Sequence, residues 1–173
     1  MDNTLYYLGF NLVNGIGPAR LDRLVSAFGS LQSAWHAPAA DLMLAGLDGR
    51  TVEALLKVRR TRDLQMEYSR ILAAGVRPIS RDDPAYPALL RELVNGPPLL
   101  YVRGTLAESD RWALAVVGTR GATTYGRDAT RKLVADLVAA GVTIVSKLAR
   151  QKCAANVLST TGYHLTFASD RAN

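Results

Sequence analysis

The sequence predicts an α/β chain: a small helical domain followed by an incomplete parallel sheet. Three observations predict it. Apolar residues recur at helical spacing through about residue 73. Continuous apolar runs of strand length stand at 113–117 and 142–145. Between those runs lie a glycine-bearing loop and an amphipathic stretch.

The helical part opens with Leu5, Leu8, Leu12 and Val13 at helical spacing. Asn14-Gly15-Ile16-Gly17-Pro18 interrupts it, and Leu21, Leu24, Val25 and Phe28 continue on a second helix. Pro18 suits the first turn of that helix, where a missing N–H costs nothing. Gly29 ends it through a positive φ. A similar unit follows: 41–45, then Gly46-Leu47-Asp48-Gly49, then Val52, Leu55 and Leu56. A further helix is expected from about Thr61 to Ala74, stopped by Gly75. Short helices joined by tight turns make a small bundle.

Residues 76–110 read as a connector with structure of its own. Strands are expected at 76–79 and 99–102, the second ended by Gly104. Asp82-Asp83-Pro84-Ala85-Tyr86-Pro87 is a turn, and Pro87 opens a short helix through Leu93. The two aspartates are turn formers rather than a catalytic pair.

Residues 113–146 form a strand–loop–helix–strand unit. Ala113 to Val117 is expected to be a strand buried on both faces. The loop spans Gly118 to Gly126, and a helix runs from about Arg127 to Ala140. Leu133, Leu137 and Val138 are expected to face the sheet, and Gly141 to cap the helix. The chain changes character over 147–173, and from Gln151 it is rich in Ser, Thr, Ala and Asn. Only 163–168 alternates, with Tyr163, Leu165 and Phe167 on one side, as a late strand would. We divide the chain into a helical domain over 1–74, a connector over 75–110 and a partial sheet domain over 111–173 whose tail diverges from about 147.

Composition narrows the function. Hydrophobic residues make up 49% and charged residues 21%, so the chain can bury a core. The single cysteine, Cys153, can close no internal disulfide and build no zinc ribbon. The start, MDNTLYYLGF, lacks a basic segment followed by an apolar run, and no apolar stretch approaches the roughly 20 residues that span a bilayer. A cytoplasmic location, away from membranes, is expected. Net charge is +6, unevenly spread. Residues 1–49 carry two arginines against four aspartates, and residues 111–150 carry seven Lys/Arg against two aspartates, a net +5. Such clustering suits a polyanion, because counterion release rewards it.

The loop Gly118-Thr119-Arg120-Gly121-Ala122-Thr123-Thr124-Tyr125-Gly126 stands at the carboxyl end of a strand and opens a helix. Open α/β sheets bind ligands there, and helix N–H groups favour an anion. Gly118 permits close backbone approach, Thr119 offers a hydroxyl and Arg120 a planar fork that matches phosphate. The loop is not a P-loop, since no Lys-Ser/Thr follows its second glycine. Nor is it a dinucleotide fingerprint: its glycines fall at 118, 121 and 126, and no acid ends the second strand. No nicotinamide cofactor is expected. His36 and His164 lie apart, and neither has a catalytic partner in sequence, so an enzyme is not expected.

Asn14 to Leu21 looks like a helix-hairpin-helix turn, which can hold a DNA phosphate on backbone N–H groups. The acidic balance of residues 1–49 favours a packing or partner-docking role instead.

Together these segments resemble the DNA-processing protein A (DprA/Smf) family. The resemblance is carried by Asn14-Gly15-Ile16-Gly17-Pro18, by Tyr86-Pro87-Ala88-Leu89-Leu90 and by Pro97 through Gly104. Its strongest parts are Ala115-Val116-Val117-Gly118-Thr119-Arg120, Tyr125-Gly126 and Gly141 through Ser146. It implies a sterile-alpha-motif-like helical domain followed by a Rossmann-like domain. It further implies sequence-independent binding of single-stranded DNA during natural transformation, protection of that DNA and help in loading a RecA-type recombinase. No catalysis and no cofactor are implied. The family's phosphate-gripping segment maps onto Gly118, Thr119 and Arg120. Tyr125, Gly126, Ser146, Lys147 and Arg150 complete the expected nucleic-acid site. Family members act as homodimers.

After Ser146 the pattern departs. Lys147 and Gln151 stand where the family has glycines, and Cys153 where it has an acid. No family match is expected beyond Arg150, so the strands and dimer surface that would follow are expected to be missing. The abrupt change suggests a frameshifted or truncated product, or a fragment with an unrelated tail. Two other readings stay open: a protein-interaction module built on the helical domain, and a Rossmann-like enzyme that binds a nucleotide phosphate at residues 118–126.

Overall fold

The computed structural model describes residues 3–106, 110, 112–119 and 121–146. The architecture is mixed α/β, as the sequence predicts. Six helices come first: α1 Thr4–Asn11, α2 Pro18–Phe28, α3 Leu31–His36, α4 Ala39–Leu44, α5 Gly49–Thr61 and α6 Leu64–Ala73. Strand β1 (Arg77–Ser80), helix α7 (Ala88–Arg91) and strand β2 (Leu99–Val102) follow, with β1 paired to β2. Then come β3 (Ala113–Ala115), α8 (Thr124–Ala139) and β4 (Thr143–Val145). The chain divides into two compact units, one ending at Tyr101 and the other starting at Val102.

Local chemistry sets the helix ends in the first unit. Gly17 leads into Pro18 at the start of α2, and Gly29, with φ +76°, closes that helix. Ser30 Oγ accepts from Ser33 N at 3.0 Å to start α3. Asp48 Oδ1 accepts from Thr51 N at 2.9 Å to start α5. Asp63 Oδ1 accepts from the N–H groups of Gln65 and Met66 at 2.8 and 3.1 Å. That last cap moves the start of α6 three residues beyond the expected Thr61, because Thr61 still belongs to α5.

The core of this unit is built around α1, which is buried on nearly all sides. It packs against α3, α5, α6 and β1. Phe10 is fully buried, whereas Leu12, at the end of the same apolar spacing, is exposed. Phe10 meets the Trp35 ring edge-on, with centroids 5.2 Å apart. Gly9 lets Trp35 approach: a Cβ there would lie 2.7 Å from Trp35 Cζ3. Thr4 Oγ1 and Ser80 Oγ share a buried hydrogen bond of 3.1 Å that fixes β1 to α1. Tyr7 Oη and Asn3 Nδ2 both donate to the Asp82 carboxylate just beyond β1. Burial and the Asp82 charge push the Tyr7 phenol well above its ordinary pKa.

The segment between β1 and β2 is tightly tied. Arg91 donates to the carbonyls of Arg81, Asp83 and Tyr86 and lies over the Tyr86 ring. Tyr86 Oη donates to the Pro97 carbonyl at 2.6 Å. Asp83 Oδ1 accepts from Ala85 N at 2.8 Å, the turn-forming bond expected of it.

In the second unit β3 and β4 pair in parallel, Leu114 opposite Ile144, with α8 packed on β4. Gly141, with φ +81°, turns the chain out of α8. Two expectations fail here. The run 113–117 is not a strand buried on both faces: only Ala113–Ala115 is strand, its residues are exposed, and Val117 is 83% exposed. On α8 the buried residue is Val134, whereas Leu133 is 59% exposed; Leu137 and Val138 are half-buried. The cause is the same for both. Among the described residues a single helix covers this two-stranded sheet, so most of its apolar surface has no neighbour. The expected strand at 163–168 lies outside the described residues.

Two outcomes follow from this distribution of burial. Phe10→Ala should cost about 3–5 kcal/mol in urea unfolding of the first unit, the range for emptying a buried aromatic site. In native-state hydrogen exchange, amides of β3, β4 and α8 should exchange faster than those of α1 and α2. Strongest protection in residues 113–146 of a monomer would contradict this account.

A candidate nucleic-acid interface

The second unit places the loop of interest where the sheet ends. Val116 N donates to Val145 O at 2.9 Å, which carries the ladder one step past β3. Because β3 and β4 run parallel, their carboxyl ends lie at the same edge. Gly118 and Thr119 leave β3 at that edge, and Ser146 leaves β4 there. Three of the expected site residues are thereby brought to one end of the sheet. Arg120, Lys147 and Arg150 lie outside the described residues.

The helix after the loop starts earlier than the glycine pattern suggests. Thr123 is its cap, with Oγ1 accepting from Gly126 N at 3.1 Å. Tyr125 and Gly126 therefore sit in the first turn of α8, not in the loop. A threonine followed by a helix-compatible stretch was the available signal, and the two glycines at 121 and 126 obscured it. Arg127 was missed as part of the site. Its Nη1 donates to the Ala122 carbonyl at 2.8 Å and its Nη2 to Thr124 Oγ1 at 3.2 Å. It clamps the loop to the helix start. Arg131 pairs with Asp128 at 2.8 Å on the exposed face of α8, and Lys132 is exposed beside it.

The loop glycines are informative because the fold does not require them. Neither Gly118 nor Gly121 has a left-handed φ. Among the described residues, a Cβ at either position would meet nothing within 4 Å. Gly17 and Gly49 in the first unit show neither constraint as well, so the loop glycines stand out by their place at the carboxyl end of β3 and not by this freedom alone. The open backbone suits the approach of a ligand, and the N–H groups at the start of α8 favour one that is negative.

The hairpin in the first unit is arranged differently. Gly15 and Gly46 have φ of +99° and +92°, so glycine is required by the backbone at both turns. Ile16 and Leu47, the apolar residues next to them, are buried. Arg20 joins the two turns. It donates to Gly15 O at 3.1 Å and Thr51 Oγ1 at 2.8 Å, and pairs with Asp48 at 2.9 Å. Hydrogen bonds from Thr51 and the Arg20 charge hold the Asp48 carboxyl below its usual pKa. At the start of α5 a carboxylate of the chain itself thus stands where a phosphate would otherwise dock. Arg20, the cation between the two turns, is thereby engaged within the chain.

Among the described residues no group of three His, Cys, Asp or Glu side chains is placed to hold a metal ion. None of the described helices is long and apolar enough to cross a membrane.

Comparison with known proteins agrees with the sequence pattern. The family described as DNA recombination-mediator protein A matches residues 77–155. That match runs past Arg150, where the family pattern was expected to stop. Protein Smf of Synechocystis sp. (strain ATCC 27184 / PCC 6803 / Kazusa) is 34% identical over 149 residues. The alignment covers 83% of this chain and 37% of that relative, so the chain spans well under half of its length.

The Arg20 bridge has a direct consequence for stability. Arg20→Ala removes the guanidinium from the Gly15 carbonyl, the Thr51 hydroxyl and the Asp48 carboxylate, leaving Thr51 and Asp48 bonded only to each other. The urea midpoint of the first unit should fall, with the dependence on denaturant unchanged. An unchanged midpoint would mean the bridge contributes nothing.

Proposed function

Because the chain belongs to the DNA-processing protein A (DprA/Smf) family, which implies a role in DNA processing, we propose that it binds single-stranded DNA without sequence preference. In this reading it protects the strand during natural transformation in the cytoplasm and helps to load a RecA-type recombinase. It acts as a binder, not an enzyme, and uses no cofactor. The helical unit is then sterile-alpha-motif-like and the second unit Rossmann-like.

The observation that carries the reading is the loop at the carboxyl end of β3, whose glycines at 118 and 121 serve neither backbone nor packing among the described residues. It lies within a stretch, 111–150, of net charge +5. A phosphodiester is a fitting ligand for such a loop. It is anionic at every repeat, it needs close backbone approach, and it carries no sequence information. Thr119 would donate its hydroxyl to a phosphate oxygen and Arg120 its guanidinium fork. Ser146, at the same edge of the sheet, would add a second hydroxyl. The Asp48 carboxylate and the engaged Arg20 argue against the first-unit hairpin as the place of contact.

The test separates the two places. Arg120→Ala should weaken binding to an unstructured oligonucleotide by about 1–3 kcal/mol in a fluorescence-anisotropy titration, the range for a charge-assisted bond to phosphate. It should also make the salt dependence shallower, since a phosphate contact contributes about −0.7 to the slope for single strands. Arg20→Ala should leave affinity unchanged while lowering stability. The reverse pattern would move the contact to the hairpin.

A further inference from the structure

The glycine loop accounts for a grip on phosphate but not for a preference between paired and unpaired strands. We propose that Tyr125 supplies that preference by stacking on an unpaired base; this rests on the loop being the phosphate site. Tyr125 lies in the first turn of α8 and is 83% exposed. Its exposure is not an effect of a loose backbone. Thr123 caps the turn, Arg127 ties it to Ala122 and Thr124, and Thr130 Oγ1 donates back to Gly126 O at 2.7 Å. With the backbone turn fixed, only the two χ angles of the tyrosine remain to be ordered when a base covers the ring, which keeps the entropy cost low. Every base has a face to stack, so the contact is indifferent to sequence, and bases paired inside a duplex cannot reach it. Backbone grip and ring together select a single strand.

The test compares an oligothymidylate of about 20 nucleotides with an abasic deoxyribose-phosphate strand of equal length, using the whole chain. The parent should bind the base-bearing strand about tenfold more tightly. Tyr125→Ala should abolish that difference, leave affinity for the abasic strand unchanged and leave the salt slope unchanged. Tyr125→Phe should keep the difference, because the ring and not the hydroxyl makes the contact. The position is too exposed for either change to affect folding, which circular dichroism would verify. Equal binding of both strands by the parent, or equal loss for both strands in Tyr125→Ala, overturns the stacking role and leaves the phosphate loop standing. If the parent binds neither strand, the phosphate-loop reading fails and the stacking role fails with it.

Discussion

The first unit depends on the seating of Trp35 against α1. The ring lies over Gly9, meets Phe10 edge-on and carries the Arg59 guanidinium 5.6 Å from its centroid. Arg59 also donates to the carbonyls of Ala34, which accepts from Ala37 N as well, and of Ala37 just past the end of α3, at 2.9 and 2.8 Å. A six-residue helix has no stability of its own. Here α5 holds it from one side through Arg59 and α1 from the other through Gly9 and Phe10. Burial lowers the Arg59 pKa, yet the two carbonyl bonds and the ring face compensate a cation that could otherwise not be placed there. With α1 fixed, Thr4 and Tyr7 in turn fix β1 through Ser80 and Asp82. The order in that unit propagates outward from one aromatic contact.

The second unit has no such centre among its described residues. Val134 is the apolar residue of α8 that is well buried, and β3 is open to solvent. Its order comes from local devices instead: a threonine cap, an arginine clamp and a left-handed glycine at the end of α8. Ligand-binding segments are commonly drawn from the less stable parts of a structure. A ligand that binds only the folded form adds its binding free energy to stability, so a polyanion at the loop would raise the stability of the unit that holds it.

How much of this was legible in the sequence depends on what sets each feature. Helix breaks were legible because Pro18, Gly29, Gly75 and Gly141 act within a few residues of themselves. The start of α6 was misplaced by three residues because Thr61 and Asp63 are both plausible starts, and only the end of α5 decides between them. The start of α8 was misplaced because glycines suggest loop more strongly than threonine suggests a cap. Burial was the least legible property. The run 113–117 looks like a strand covered on both faces, and Leu133 looks like a core residue, but cover is supplied by neighbours whose presence a local pattern does not report. The loop's place in the fold was more legible than its detail. The loop lies at the sheet edge as expected and Ser146 joins it, whereas Arg127 was invisible because its role is to bond a carbonyl, which any arginine sequence permits.

The two glycine turns show why composition alone cannot assign a binding site. Each has glycine followed by arginine near the start of a helix, the pattern expected of a phosphate grip. At the hairpin, Gly15 is demanded by its own φ, and Arg20 is consumed by a carbonyl, a hydroxyl and a carboxylate. Gly15 and Arg20 are explained by the fold, whereas Gly17 between them shows neither a left-handed φ nor a close neighbour. At the β3 edge, Gly118 and Gly121 answer to no constraint among the described residues, and the Tyr125 side chain after them is 83% exposed on a capped helical turn. Exposing a large aromatic forgoes the apolar burial that would otherwise stabilise a weakly packed unit. Trp112 and Val117 are exposed in the same unit, so what sets Tyr125 apart is its place in the first turn of the helix that follows the loop, where a bound anion would lie beside it.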